Sequence, residues 1–322
     1  MTTDGNLGAT TNQHVQGDVL SSPIANRKSQ IANLSLFAGD IKIAHTVFAL
    51  PFALLSTFLA AKDIEGLPRL GKLLLILVCM VTARTVAMAV NRLLDAELDA
   101  KNPRTARRAI PSGELSRRFY WAVVGVCIAG FVLAASGFLV FYHNRWPLVW
   151  SVPVLAVLSA YPLLKRFTRF CHYYLGFCLA LAPVCAWVAI RGTLGMPPIW
   201  MAGAVVTWTA GFDILYACQD YASDVACGVF SVPSKIGIGP ALWVSRLTHA
   251  ACVGMLVAVG MSSPHLGGLY FTGVVIAAAL LVVEQSLVKA DDLSKLGLAF
   301  FTLNGIISLL LGTLGIVDVL RG

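Results

Sequence analysis

The sequence predicts an all-α, polytopic membrane protein with about nine transmembrane helices. Of the 322 residues, 57% are hydrophobic and only 12% are charged, which is about half the charged fraction of an average soluble domain. Apolar segments close to the length of about 20 residues that spans a bilayer recur along the chain, and no alternating strand pattern competes with them. This composition excludes a disordered chain, a nucleic-acid-binding domain with a basic surface and an ordinary soluble enzyme.

The chain divides into a polar tail and one membrane domain. Residues 1–30 are rich in Thr, Asn, Gln, Gly and Ser and show no apolar periodicity, so we expect a disordered N-terminal tail. We expect a single transmembrane domain over residues 31–322. Its nine predicted spans cover approximately residues 43–61, 73–91, 120–141, 147–162, 173–190, 199–217, 240–261, 269–286 and 296–317.

The distribution of Lys and Arg predicts the orientation of these spans. The connections after spans two, four, six and eight carry thirteen Lys and Arg residues, whereas the connections on the other side carry five. Because cytoplasmic loops are enriched in Lys and Arg, we expect the first set of connections and the N-terminus to lie in the cytoplasm.

An acidic stripe ends the second span on the predicted cytoplasmic side. Asn91, Asp95 and Asp99 are spaced by four, which places them on one side of a helix. Arg84 lies on the same stripe, seven residues earlier. A single stripe of this kind is more often a helix cap or a solvated helix end than a functional site.

A second acidic stripe ends the sixth span on the same side. It comprises Asp213, Tyr216, Asp220 and Asp224. Carboxylates on facing helices repel one another unless cations lie between them. Hard oxygen ligands suit Mg²⁺, which binds one or two carboxylates together with substrate phosphates. The two stripes together therefore predict a pocket for a Mg²⁺-diphosphate.

Basic residues follow both the first stripe and the fourth span. The loop after the first stripe carries Arg104 and Arg108, and the fourth span ends in Tyr161, Lys165 and Arg166. A planar guanidinium can bind two phosphate oxygens, so we expect these residues to contact a diphosphate. The alternative for this run of charge is anchoring at the cytoplasmic side of the membrane.

These motifs resemble those of the UbiA superfamily of membrane aromatic prenyltransferases. The first family signature is present in full as Asn91, Asp95, Asp99, Arg104, Thr105, Arg108, Pro111 and Gly113. The second is present as Asp220, Asp224, Gly228, Ser231 and Pro233. Segments 40–52 and 212–220 are similar to the quinone-pathway branch, which contains 4-hydroxybenzoate polyprenyltransferases and enzymes of futalosine-route menaquinone synthesis.

The resemblance implies helices arranged around a central cavity and a site with two Mg²⁺ ions. Catalytic Asp95 and Asp99 would hold one ion with Asn91, and catalytic Asp220 and Asp224 would hold the other. The diphosphate would be bound by Arg104, Arg108, Lys165 and Arg166. The implied substrate-binding residues are Tyr161, Asp213 and Tyr216, with Arg84, Lys42 and His45 as candidates for the carboxylate of the acceptor.

The implied function is Mg²⁺-dependent transfer of a polyprenyl group from a polyprenyl diphosphate to an aromatic carboxylic acid in respiratory quinone biosynthesis. The preferred acceptor is 1,4-dihydroxy-6-naphthoate of the menaquinone pathway, and the alternative is 4-hydroxybenzoate of the ubiquinone pathway. We expect an integral protein of the bacterial plasma membrane, with its active site facing the cytoplasm and no nucleic-acid partner.

The alternative from another class is a secondary transporter, which would also place ionisable residues inside helices. Transporters often carry an inverted internal repeat, which would tend to place equivalent motifs on opposite membrane faces. Both acidic stripes are predicted on one face, and this favours the enzyme.

Overall fold

The structure, a computed structural model, describes residues 23–41 and 48–322, and every regular element within these ranges is a helix. The α-helices of the described chain are α1 (Pro23–Asp40), α2 (Leu50–Glu65), α3 (Leu70–Lys101), α4 (Arg117–Tyr142), α5 (Trp146–Leu164), α6 (Cys171–Arg191), α7 (Met196–Ala217), α8 (Tyr221–Cys227), α9 (Val232–Ile236), α10 (Ile238–Met261), α11 (Gly268–Leu287) and α12 (Asn304–Arg321). A 3₁₀ turn, Cys218–Asp220, joins α7 to α8, and a π-helical segment, Leu298–Leu303, leads into α12.

Eight helices of the described chain are long and apolar enough to cross a membrane. They are α3, α4, α5, α6, α7 with its continuation through α8, α10, α11 and α12. The first predicted span, 43–61, overlaps the 16-residue α2. Residues 42–47, which include Lys42 and His45, lie outside the described residues. The all-α membrane class is confirmed, and nine is an approximate count of its spans.

The first helix, α1, begins at Pro23, inside the segment 1–30 that the sequence predicts to be disordered. Residues 1–22 of that segment lie outside the described residues. The end of α1 packs on the membrane domain, because the buried ring of Phe37 lies 5.8 Å from that of Phe119 and 5.0 Å from that of Tyr120. α1 is therefore held against the start of α4.

Two pairs of helices touch through glycines. A Cβ atom at Gly176 of α6 would lie 2.4 Å from the carbonyl oxygen of Val206 in α7, and one at Gly312 of α12 would lie 2.4 Å from Cβ of Pro51 in α2. Small residues of this kind let membrane helices approach closely. The close contact at Gly176 fixes the spacing between α6 and α7, and both of these helices contribute side chains to the site described below.

A buried polar network joins α7, α11 and α12. Asn304 donates from Nδ2 to Glu284 Oε1 at 2.9 Å and accepts from Trp208 Nε1 at 2.6 Å. All three side chains are buried. Polar contacts between helices stabilise membrane bundles, so the structure gives Glu284, which has no assigned role in the sequence prediction, a place in helix packing.

Candidate active site

A cavity of about 240 Å³ opens where the end of α3, the loop 102–116, the end of α5 and the junction of α7 with α8 meet. Eleven of the predicted site residues line it: Asn91, Asp95, Asp99, Arg104, Arg108, Tyr161, Lys165, Asp213, Tyr216, Asp220 and Asp224. The two acidic stripes and three of the four predicted diphosphate-binding residues therefore face one space.

The length of α3 explains where the first stripe lies. A helix of 32 residues is about 48 Å long, which exceeds the roughly 30 Å hydrocarbon core of a bilayer. α3 is therefore long enough for its last turns, with Asp95 and Asp99, to lie beyond the hydrocarbon core.

Asp95 is the most deeply buried carboxylate of the cavity, at 1% exposure. Its Oδ2 accepts hydrogen bonds from Asn91 Nδ2 and from Lys165 Nζ, both at 2.7 Å. Its Oδ1 is buried and has no hydrogen-bond partner among the residues that the structure describes. A buried acceptor of this kind is costly unless a ligand satisfies it.

The second stripe does not lie on one continuous helix. The helix α7 ends at Ala217, and the tighter 3₁₀ turn carries Asp220 before α8 begins. Arg104 donates to Asp220 from Nε to Oδ1 at 2.9 Å and from Nη2 to Oδ2 at 2.6 Å, and Asn102 adds a third hydrogen bond at 2.8 Å. The loop that follows the first stripe is thus bonded to the second.

Carboxylates and basic groups alternate around the cavity. Arg108 Nη1 lies 2.7 Å from both oxygens of Asp99, and Asp224 accepts from Ser231 Oγ at 2.7 Å.

Burial lowers the pKa of the Arg104 guanidinium, but the hydrogen bond and the charge of Asp220 more than offset this, so the pKa of Arg104 is raised. Arg104 therefore stays cationic throughout the physiological range.

Asp213 is held by a histidine that the sequence analysis did not select. His172 of α6 is buried, and its Nδ1 lies 2.7 Å from Asp213 Oδ2. The backbone N–H of Val232 donates to His172 Nε2 at 3.1 Å. Because Nε2 accepts, the proton of the neutral ring is on Nδ1 and points to Asp213. His172 therefore connects the cavity to the first residue of α9.

Two predicted residues of the described chain, Arg166 and Arg84, do not line the cavity. Arg166 donates from Nη2 to the carbonyl oxygen of Leu94 at 2.6 Å, so it supports the end of α3. Arg84 lies on α3 about two turns further into the membrane and is absent from the cavity lining. Lys42 lies outside the described residues.

The residues near the cavity that the sequence analysis missed are Asn102 and His172. Asn102 carries a weak signal, because it follows the last helical residue of α3 and lies within the first signature. His172 carries none, since its partner Asp213 lies 41 residues away in the chain.

The donor set fits Mg²⁺ only when a substrate supplies further ligands. Within the described residues, no three His, Cys, Asp or Glu side chains converge as they would in a metal cage built by the protein alone. Mg²⁺ commonly binds one or two carboxylates and completes its shell with water and phosphate oxygens. The hard oxygens of the two stripes, and the unsatisfied Oδ1 of Asp95, match that mode.

A family model described as the UbiA prenyltransferase family matches residues 49–306. The chain therefore belongs to the UbiA prenyltransferase family. It is 28% identical over 247 residues to 4-hydroxybenzoate octaprenyltransferase of Photobacterium profundum, which covers 77% of this chain and 83% of that protein. It is 30% identical to the mitochondrial 4-hydroxybenzoate polyprenyltransferases of Caenorhabditis elegans and Arabidopsis thaliana, over 56% and 62% of this chain, and spans about half of their length, 49% and 47%.

Two solved structures share the fold. A UbiA homolog from Aeropyrum pernix K1, in its apo form, superposes with a TM-score of 0.75 at 29% identity, over 86% of this chain and 98% of that one. A UbiA homolog from Archaeoglobus fulgidus, bound to DMAPP and Mg²⁺, superposes with a TM-score of 0.67 at 19% identity, over 88% and 98% of the two chains.

Proposed function

We propose that this protein transfers a polyprenyl group from a polyprenyl diphosphate to an aromatic carboxylic acid, with Mg²⁺ as cofactor. The observation that carries the proposal is the single cavity in which two acidic stripes alternate with Arg104, Arg108 and Lys165. A diphosphate with its metal ions satisfies both kinds of charge at once. The names of the relatives support an aromatic acceptor.

In this proposal, Asp95 and Asp99 hold one Mg²⁺ and Asp220 and Asp224 the other. Bound Mg²⁺ neutralises charge on the diphosphate as it leaves. Asn91 orients Asp95 in this proposal. Its amide oxygen already accepts from Arg92 Nη1 at 2.9 Å, and its amide nitrogen donates to Asp95.

The basic residues stabilise the leaving group. When the bond between the prenyl C1 and the diphosphate oxygen breaks, negative charge grows on the diphosphate and positive charge on the allylic carbon. Arg104, Arg108 and Lys165 are placed beside the carboxylates and can donate to the diphosphate oxygens as that charge develops. A ring carbon of the acceptor then forms the new C–C bond and releases a proton, and water must be kept from the cation.

The acceptor is the finer part of the proposal. The relatives' names favour 4-hydroxybenzoate. Segments 40–52 and 212–220 are similar to a branch that contains 4-hydroxybenzoate enzymes and also the enzymes of futalosine-route menaquinone synthesis, so 1,4-dihydroxy-6-naphthoate is the other acceptor to be tested. We propose that the protein lies in the bacterial plasma membrane with this cavity toward the cytoplasm; the loop charges support the orientation.

The test is turnover by the purified protein in nanodiscs with Mg²⁺ and geranyl diphosphate. Each acceptor is offered separately, and prenylated product is measured by mass spectrometry, with EDTA replacing Mg²⁺ as the control. Product from one acceptor alone, lost with EDTA, supports the proposal and selects the quinone pathway. Intact diphosphate with both acceptors, and with longer donors, contradicts it.

A further inference from the structure

Asp40, the last residue of α1, lies outside the cavity and contacts several elements around it. Its side chain is 7% exposed. Oδ1 accepts from the backbone N–H of Ala109 at 3.2 Å, and Oδ2 accepts from the hydroxyl of Tyr120 and lies 3.2 Å from Arg92 Nε. The backbone carbonyl of Asp40 accepts from Arg92 Nη2 at 2.9 Å. One residue therefore contacts α3, α4 and the loop 102–116.

A chain of hydrogen bonds runs from Asp40 to the cavity through Arg92. The Arg92 side chain is 5% exposed, and its Nη1 donates to Asn91 Oδ1 at 2.9 Å. A guanidinium can only donate, so the amide oxygen of Asn91 must face Arg92 and its nitrogen must face Asp95. This fixes Asp95 Oδ2 and leaves Oδ1 as the oxygen available to a ligand.

A second path runs through the backbone of the loop. Ala109 directly follows Arg108, which pairs with Asp99. The hydrogen bond from Ala109 to Asp40 anchors the loop beside Arg108, and the Arg104–Asp220 pair anchors it nearer its start. The loop is thus held at Arg104 by Asp220, at Arg108 by Asp99 and at Ala109 by Asp40.

The Asp40 carboxylate is also the counter-charge of the Arg92 guanidinium. Arg92 is a buried cation, and removing the partner of a buried charge is strongly destabilising. Without the Asp40 carboxylate, Arg92 would keep its hydrogen bonds to the backbone carbonyl of residue 40 but lose its counter-charge, and it would be drawn toward the carboxylates of the cavity or toward water. In both cases, the orientation of the Asn91 amide, and with it that of Asp95, would no longer be fixed.

We propose that Asp40 is a positioning residue. It orients the carboxylate of Asp95 through Arg92 and Asn91, and it anchors the loop 102–116 through Ala109. The proposal rests on the proposed function for its meaning in catalysis, but its structural content concerns binding of a diphosphate and the order of the loop.

The variants are Asp40→Ala and Asp40→Asn, with Asp40→Glu as the conservative rescue. The matched control is Asp318→Asn, because Asp318 Oδ2 also accepts two backbone N–H groups, from Gly267 and Tyr270 at 2.8 Å, and has no contact with the cavity. Tyr120→Phe, which removes one donor to Asp40 but leaves Arg92 and Ala109 in place, serves if Asp40→Ala does not fold.

The first readout is trypsin cleavage in the ligand-free protein, with peptides of residues 102–116 quantified by mass spectrometry. The loss of one charge-assisted hydrogen bond corresponds to about a tenfold change in a local equilibrium. We expect Asp40→Ala to be cleaved about tenfold faster at Arg104, Arg107 and Arg108, and Asp318→Asn to be cleaved at the wild-type rate. Tyr120→Phe should show a smaller increase.

The second readout is binding of inorganic diphosphate with Mg²⁺ by calorimetry, followed by KM values. We expect Asp40→Ala to weaken diphosphate binding about tenfold. The KM for geranyl diphosphate should rise, and the KM for the acceptor should stay unchanged. Asp40→Glu should recover part of the diphosphate affinity and part of the KM for geranyl diphosphate. Wild-type loop cleavage and wild-type diphosphate affinity in a folded Asp40→Ala or Asp40→Asn protein would overturn the proposal. If the wild type binds diphosphate but transfers nothing, the proposed function fails, and the cleavage and binding data still decide the role of Asp40.

Discussion

Arg104 and Asp220, which are 116 residues apart in the chain, form a two-pronged ion pair across the cavity, with distances of 2.9 and 2.6 Å. The pair joins the loop of the first motif to the second acidic stripe. It also places the guanidinium 5.4 Å from the centre of the Tyr216 ring. The two motifs are therefore one site in space, and Arg104 is the residue that joins them.

This pairing predicts that Arg104→Lys is not a conservative change. A lysine keeps the charge but cannot make two parallel hydrogen bonds to a carboxylate or a phosphate. We expect the KM for the prenyl diphosphate to rise about tenfold in Arg104→Lys, because a hydrogen bond to a charged group contributes about 1.5–3 kcal/mol, and to rise further in Arg104→Ala. Steady-state kinetics with geranyl diphosphate measures both.

The matched control is Arg107→Lys. Arg107 is exposed in the same loop and does not line the cavity, so its kinetic constants should be those of the wild type. Equal KM values in Arg104→Lys and Arg107→Lys would show that the fork at position 104 has no part in diphosphate binding.

The bond between His172 and Asp213 predicts a positioning effect from outside the cavity. His172→Phe keeps a ring in the buried space but removes the donor to Asp213 and the acceptor for the Val232 amide. Loss of an outer partner of a site residue commonly lowers activity by about 10–100-fold, and we expect kcat to fall within that range. The control is Tyr173→Phe, on the same helix as His172. It removes the hydrogen bond between the Tyr173 hydroxyl and Thr248 of α10 and should retain wild-type kcat. A His172→Phe protein with unchanged kcat would limit His172 to packing.

The close contact at Gly176 predicts a loss of stability upon addition of one methyl group. In Gly176→Ala the new Cβ meets the backbone of Val206 at 2.4 Å, and backbone cannot move aside as a side chain can. We expect the free energy of unfolding to fall by about 1–3 kcal/mol. Gly254 of α10 has no atom within 4 Å of a new Cβ, so Gly254→Ala should be neutral or stabilising by up to about 1 kcal/mol. Thermal unfolding in detergent compares the two, and equal melting temperatures would show that α6 and α7 can separate at no cost.

Local patterns were sufficient to predict the helices and the first stripe, because a spacing of four fixes one side of a helix. The 3₁₀ turn Cys218–Asp220 interrupts the second stripe, although its four residues still line the cavity. Contacts between distant segments were beyond such patterns. Lys165 and Arg166 are neighbours in sequence, yet Lys165 reaches Asp95 whereas Arg166 bonds the carbonyl of Leu94. The chemistry of neither residue decides which one faces the cavity; the direction of the chain at the end of α5 does.

The same limit applies to the residues that support the site. Asp40 acts through Arg92, 52 residues away, and His172 acts on Asp213, 41 residues away. A buried Asp or His in an apolar context is predicted only as an isolated polar residue, because its partner is selected by the packing of helices. The sequence motif includes Asn91, but only the structure shows that its amide is oriented by Arg92.

The central claim is that both acidic stripes serve one Mg²⁺-diphosphate site, and prenyl transfer by Asp95→Asn and Asp220→Asn at saturating Mg²⁺ tests it most directly. Each variant keeps the shape of its side chain and is first shown to be folded by its melting temperature. We predict that each loses turnover by at least about a hundredfold, the scale seen when one electrostatic group is removed from a catalytic site. Near-wild-type turnover in either folded variant would contradict the shared site.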